Sequence, residues 1–327
     1  MEIGSFIELQ FDKGKEWYTT DKYFGMQIAR LNSGRAGIFH ALKCLNCDTV
    51  YLPYYQCETV RNFLIKKEIK IKYYHIDESF LPLIFDEQKP NEAVLIVNYY
   101  GVMPTDRMKE LAKKYKNVII DNSQAFFAQP IDFCMNVYSA RKFVGAPDGA
   151  YVIGKNALYG YDSYKQGYSS DTAGFLLQRH EYGCEGKVYQ SRMINEQRID
   201  NEDIMKMSVL TQKILDGTNY QYIIDKRKKN FLLAHEFFGE INQLKDFLNN
   251  NDHDVPMVYP LLIEEEGIMQ RLIDAKHFQG RWWSYLLTET KIDSFEYKLS
   301  KFMIPITIDQ RYGKEDLERI YRIIRKK

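Results

Sequence analysis

The run Val118-Ile119-Ile120, three β-branched residues closed by Asp121-Asn122-Ser123-Gln124, constrains the fold most. Short apolar runs with polar flanks suit strands buried on both faces, as in a parallel sheet covered by helices. Two others precede it, Thr49-Val50-Tyr51-Leu52-Pro53 and Ala93-Val94-Leu95-Ile96-Val97, and residues 69–74 alternate as a further strand. Helical patterns lie between. Ile38, Ala41, Leu42 and Leu45 form a stripe after Ser33-Gly34-Arg35-Ala36-Gly37, and 107–115 reads as another helix. Strand alternating with helix predicts an α/β unit with crossover connections through about residue 155.

Residues 158–202 are rich in Tyr, Gly, Ser and charge without a clear period, which predicts a long irregular excursion. Helix resumes over 204–215. Asp216-Gly217-Thr218-Asn219 is the best break, dividing a larger unit, 1–216, from a smaller one, 217–327. The second unit reads as mixed α+β, with a helix through Phe238, strands near 257–263 and 303–308, and helices near Met269 and Leu317. A length of 327 residues suits two domains sharing a large core.

A net charge of +1 gives no general field for nucleic acid or an acidic membrane. Lys226-Arg227-Lys228-Lys229 is a local basic run expected to be a solvated helix face, and no apolar run approaches the ~20 residues that span a bilayer. Five cysteines without a secretory start after Met1-Glu2-Ile3-Gly4 argue for a reducing compartment, the cytoplasm. Cys44-Leu45-Asn46-Cys47 has the spacing of half a zinc site and lacks a second pair, so two buried thiols are expected and no metal.

Asp121 stands where open α/β sheets bind ligands, at a strand's carboxyl end, and Lys142 follows Tyr138-Ser139-Ala140-Arg141. A lysine amine forms Schiff bases with carbonyls, and pyridoxal phosphate uses such a lysine together with an acid at its pyridinium nitrogen. Taken singly, an Asp after a strand is usually a cap or loop residue and a Lys a solvated charge. The turn Ser33-Gly34-Arg35-Ala36-Gly37 offers either a helix N-terminus for a phosphate or a plain capped helix. Tyr54-Tyr55-Gln56-Cys57, after the strand ending at Pro53, offers an aromatic to cover a flat ring.

Taken together these segments resemble the DegT/StrS-type sugar aminotransferase family, of fold type I among the pyridoxal phosphate-dependent enzymes. Ser33-Gly34-Arg35-Ala36 is similar to the family's Ser-Gly-Thr-Ala turn, Pro53-Tyr54-Tyr55-Gln56 to Pro-x-Tyr-Thr, and Asn98-Tyr99-Tyr100-Gly101 to His-x-Tyr-Gly. Asp121-Asn122-Ser123-Gln124 resembles Asp-Ala-Ala-Gln, and Ser139-Ala140-Arg141-Lys142 with Asp148-Gly149-Ala150 resembles the lysine segment and its Gly-Asp-Gly-Gly. The resemblance implies a large domain with a mostly parallel central sheet covered by helices, plus a smaller α+β C-terminal domain. It implies that Lys142 carries pyridoxal 5′-phosphate as a Schiff base and moves protons, and that Asp121 meets the ring nitrogen. Gln124 would lie near the phenolic oxygen, and Ser139, with Gly34, Arg35 and Ala36, would hold the phosphate. Tyr55, or Cys57 in the other alignment of the segment, would cover the ring.

The implied substrates are an amino acid, expected to be glutamate, and a keto sugar attached to a nucleotide, with a homodimer completing each site. The family's Asn-Tyr-Arg-Met-Ser stretch from the second subunit has its nearest matches in Ser191-Arg192-Met193 and Lys206-Met207-Ser208. Two rival functions stand beside transamination: dehydration of a deoxysugar, for which family members replace the lysine with His, and a non-catalytic relative that binds cofactor or sugar. Lys142 favours transamination over dehydration, and Asp121, Gln124 and Lys142 together speak against the non-catalytic relative.

Overall fold

The structure is a computed structural model that describes residues 5–23, 25–84, 86–249, 254–278 and 280–326. Its strands are β1 (Gln27–Leu31), β2 (Thr49–Pro53), β3 (Lys70–Ile76), β4 (Pro82–Leu83), β5 (Glu92–Val97), β6 (Val118–Asn122), β7 (Met135–Ser139), β8 (Ala150–Gly154), β9 (Val258–Leu262) and β10 (Met303–Thr307). Its helices are α1 (Gly34–Cys44), α2 (Glu58–Lys66), α3 (Thr105–Ala112), α4 (Gly174–Tyr182), α5 (Lys187–Asn201), α6 (Val209–Asp216), α7 (Tyr220–Phe238), α8 (Lys245–Asn249), α9 (Ile268–Asp274), α10 (Leu286–Glu289), α11 (Phe295–Phe302) and α12 (Lys314–Arg325).

Eight strands form one sheet in the order β1-β8-β7-β6-β5-β2-β3-β4. β3, β2, β5, β6 and β7 are parallel, β8 runs antiparallel between β7 and β1, and β4 is antiparallel on β3. The unbroken apolar runs of β2, β5 and β6 are buried at every position, as expected of central strands covered on both faces. At β7 and β8 the period of two sorts side chains between two cores. Val137 and Val152 join the principal core, while Tyr138 and Tyr151 join a second cluster with Tyr18, Phe126 and Tyr220. α1 lies so close to the sheet that a Cβ at Gly37 would come within 2.9 Å of Val137 Cγ1. β9 and β10 form a separate antiparallel pair, and α7 packs against both β9 and α12.

Several expectations are corrected. The 158–202 segment is not irregular throughout, because it contains α4 and α5. No residue of α4 is buried and only Val188, Asn195 and Ile199 of α5 are, so neither helix carries the apolar stripe that would have marked it. Residues 204–208 are not helical. Lys206 bridges Leu31 of β1, and helix begins only after Ser208, whose side chain accepts from Thr211 N. Arg227 departs from the solvated face expected of its basic run and is 2 % exposed. Cys44 and Cys47 are free thiols, both pushed up to about 11 by burial, and among the described residues no group of ligands could hold a metal ion. No described helix is long and apolar enough to cross a membrane.

Candidate active site

The register gathers the singled-out residues at one sheet edge. Val97 pairs with Asp121, Asn122 with Tyr138, Ser139 with Ala150, and Ala150 with Leu31. Asn98, Asp121, Ser139 and the Asn32-Ser33 link into α1 therefore all lie at the carboxyl ends of parallel strands, the edge at which such sheets bind ligands.

Asp121 is buried, with Oδ2 accepting from Gln56 Nε2 at 2.9 Å and Oδ1 from the Ser123 backbone N–H at 2.9 Å. Gln56 Oε1 accepts from Cys57 N at 2.8 Å, and this bond aims the Nε2 end at the carboxylate. Each Asp121 oxygen keeps a second lone pair for a further donor. Ser123 also meets the α1 terminus, since a Cβ at Gly34 would stand 3.1 Å from Ser123 Oγ. The glycine thus lets the helix N-terminus approach the acid's own loop.

Ser33 caps α1 and accepts from Ala36 N at 3.3 Å. The Gly34 and Arg35 N–H groups are first-turn donors with no intrahelical acceptor. Arg35 is buried; its Nη1 meets Asp200 Oδ1 of α5 at 2.6 Å, and its Nη2 is buried without a hydrogen-bond partner. A capped helix end, a glycine and an orphaned cationic donor fit a phosphate dianion. Ser139 is buried at the end of β7 and its side chain makes no cap to the following turn, so its hydroxyl is not committed there.

Gln124 is buried and its Oε1 accepts from Tyr100 N at 2.8 Å, which leaves Nε2 to donate to an acceptor such as a phenolic oxygen. The bond holds Tyr100 at φ +59°, a costly position for an aromatic. Lys142 ends the 3-10 turn Ala140–Lys142 and its side chain is exposed. Its carbonyl accepts from Arg227 Nη2 at 3.4 Å, and the next carbonyl, of Phe143, accepts from Gln310 Nε2 at 3.0 Å.

Tyr55 is placed differently from expectation. It is 0 % exposed, its ring packs against Tyr99 and edge-on to Trp283, and its hydroxyl shares a hydrogen bond with Tyr100. It presents no open face to a ligand, and burial holds its pKa above the ordinary phenol value. Trp282 stacks on Tyr100, and Tyr285 Oη donates to the Gln56 carbonyl at 2.6 Å, so the 282–285 segment backs the same loop. Cys57 is half-buried at the start of α2. Of the two candidate matches to the second-subunit stretch, Lys206-Met207-Ser208 runs beside β1, Met207 N donating to Arg30 O at 3.0 Å. Ser191-Arg192-Met193 instead lies on α5 with Arg192 and Met193 exposed. Ser208 Oγ and Thr211 Oγ1 hydrogen-bond the fully buried Asp148, whose carboxyl burial pushes up. Gln56, Arg227 and Gln310 escaped the sequence reading because each acts on a partner distant along the chain.

No protein-family model and no curated protein matches this sequence. Solved structures do. A DegT DnrJ EryC1 StrS aminotransferase from Brucella abortus is 11% identical, with 93% of this chain and 87% of that chain covered and a TM-score of 0.61. Helicobacter pylori PseC, an aminotransferase involved in the biosynthesis of pseudoaminic acid, is 12% identical, covering 96% and 92%, with a TM-score of 0.59. An E. coli GDP-4-keto-6-deoxy-D-mannose-3-dehydratase solved with hydrated PLP is 11% identical, covering 93% and 89%, with a TM-score of 0.58.

Proposed function

The chain has the fold of fold type I pyridoxal phosphate-dependent enzymes, and we propose that it is an aminotransferase moving an amino group from an amino acid, glutamate, to a nucleotide-linked keto sugar. The observation that carries this reading is the buried Asp121, held by Gln56 and Ser123, on the sheet edge that also carries Lys142 and the α1 terminus. Pyridoxal phosphate, when bound, supplies an electron sink for the carbanion formed at the amino acid α-carbon.

The chain's own residues bind and orient it. The N–H groups of Gly34 and Arg35, the Arg35 guanidinium and the Ser139 hydroxyl are assigned the phosphate, Asp121 the ring nitrogen and Gln124 Nε2 the phenolic oxygen. The Lys142 amine provides the covalent link and then carries a proton from and back to the reacting carbons. Retention of a lysine at this position favours transamination over the reaction of the dehydratase of similar fold. We assign residues 1–216 to a cofactor-binding domain and 217–327 to a smaller domain, with the cytoplasm as the compartment.

A second copy of the chain is part of the same proposal. α4 and α5 expose Leu177, Tyr182, Tyr189, Met193 and Ile194, an apolar surface that a homodimer would cover, and Lys142 lies open to solvent on one chain alone. The test is the visible spectrum after adding pyridoxal 5′-phosphate, compared with Lys142→Ala and followed by glutamate. A Lys142-dependent band that glutamate bleaches is expected; its absence from the native protein would remove the aminotransferase reading.

A further inference from the structure

Arg227, on α7, is a buried cation that makes no ion pair among the described residues. Burial lowers its pKa to about 10, against the opposing charge of Asp309. Burying a guanidinium without a carboxylate is costly, so the groups it touches show what the cost secures. Arg227 donates to the carbonyls of Met257 at 2.8 Å, Pro256 at 3.3 Å and Lys142 at 3.4 Å, and it lies over the Phe143 ring at 4.5 Å. Gln310, just after β10, donates to the Phe143 carbonyl at 3.0 Å. Two consecutive carbonyls of the lysine turn are thus held by side chains that follow residue 217.

The connection continues to the other side of the edge. Met257 N donates to Tyr100 O at 2.7 Å, and Tyr100 N donates to Gln124 Oε1 at 2.8 Å. One chain of contacts, Lys142-Arg227-Met257-Tyr100-Gln124, sets the lysine turn in the same frame as the loop after Asp121. We propose that Arg227 and Gln310 are positioning residues for Lys142, fixing its turn so that the amine meets the carbonyl it attacks; the proposal rests on Lys142 being the Schiff-base lysine. Its chemical content is geometric: a nucleophile displaced by an ångström loses rate while the binding surface beside it is unchanged.

The experiment uses the full chain and two probes. Pyridoxine 5′-phosphate has an alcohol where the cofactor has an aldehyde, so equilibrium dialysis with it reads binding without the covalent link. Stopped-flow absorbance with pyridoxal 5′-phosphate reads linkage to Lys142. Arg227→Met is expected to slow linkage about tenfold or more while affinity for pyridoxine 5′-phosphate stays within about twofold, and Arg227→Lys is expected to recover most of the rate. Gln310→Leu should act in the same direction and serves if Arg227→Met fails to fold. In both variants the Phe143 and Val144 amides, which donate to Ala140 O, should exchange hydrogen faster. Folded variants that link at the native rate with native exchange would overturn the proposal. A native protein with no Lys142-dependent band defeats the Lys142 assignment instead, and the exchange measurement then still decides whether these residues hold the turn.

Discussion

Gln56 and Asp121 show how a single amide can prepare a charged group before any ligand arrives. Gln56→Leu would keep the volume and remove the donor on Asp121 Oδ2, leaving a buried carboxylate with one partner fewer. The expected cost is about 1–3 kcal/mol of stability, read as a lower urea midpoint with unchanged slope; an unaltered midpoint would show the bond to be idle. Asp121 stands out in the sequence because it closes an apolar run, where the switch from strand to loop is written in the residues themselves, whereas Lys142 stands out only through the resemblance of its segment to a family's lysine segment. Gln56 does not, since its carboxylate partner lies 65 residues further on, and Arg227, 85 residues from Lys142, reads locally as one of four surface cations. Tyr55 is ambiguous in the sequence for a related reason. An aromatic after a strand is equally suited to covering a ring and to filling a core, and only its neighbours Tyr99, Tyr100 and Trp283 decide.

Between residue and molecule, the β7–β8 connection leaves little room for a side chain. Gly149 has φ +113°, its carbonyl accepts from Ala140 N at 3.2 Å, and an added Cβ would stand 2.8 Å from Thr211 Cγ2. Gly149→Ala is therefore expected to destabilise the fold by about 1–3 kcal/mol, seen in thermal unfolding, and the displacement would pass to the Ala140–Lys142 turn. A variant as stable as the native chain would mean that α6 yields without cost. The elements of the central sheet were readable because burial on both faces demands unbroken apolar runs. α4 and α5 were hidden because they bury so little against their own chain that selection for an apolar stripe has no target within it.

At the scale of the whole molecule, the elements after residue 217 act on the sheet edge through Arg227, Gln310 and the 282–285 segment. Asp309, beside Gln310, stabilises this arrangement in a pH-dependent way. Burial pushes its carboxyl up, and the hydrogen bonds and charge of Arg311 outweigh burial, leaving it below its usual 3.8. A depressed folded value means stability that is present above the usual value and lost as pH falls through the folded one. Asp309→Asn should consequently flatten the acid side of a stability–pH curve below 3.8, and an unchanged slope would count against the pair. Ile194→Glu, on the exposed face of α5, should halve the mass seen by light scattering if that face joins two copies; a native protein that is already monomeric would end the homodimer proposal.

Two of the three tryptophans, Trp282 and Trp283, pack on Tyr100 and Tyr55 behind the loop that holds Asp121, and the third, Trp17, belongs to the second aromatic cluster. The protein therefore carries an optical gauge of its own site. A near-ultraviolet absorber at the sheet edge should quench the emission of that pair by energy transfer, so that occupancy could be followed in the unlabelled chain from its own light.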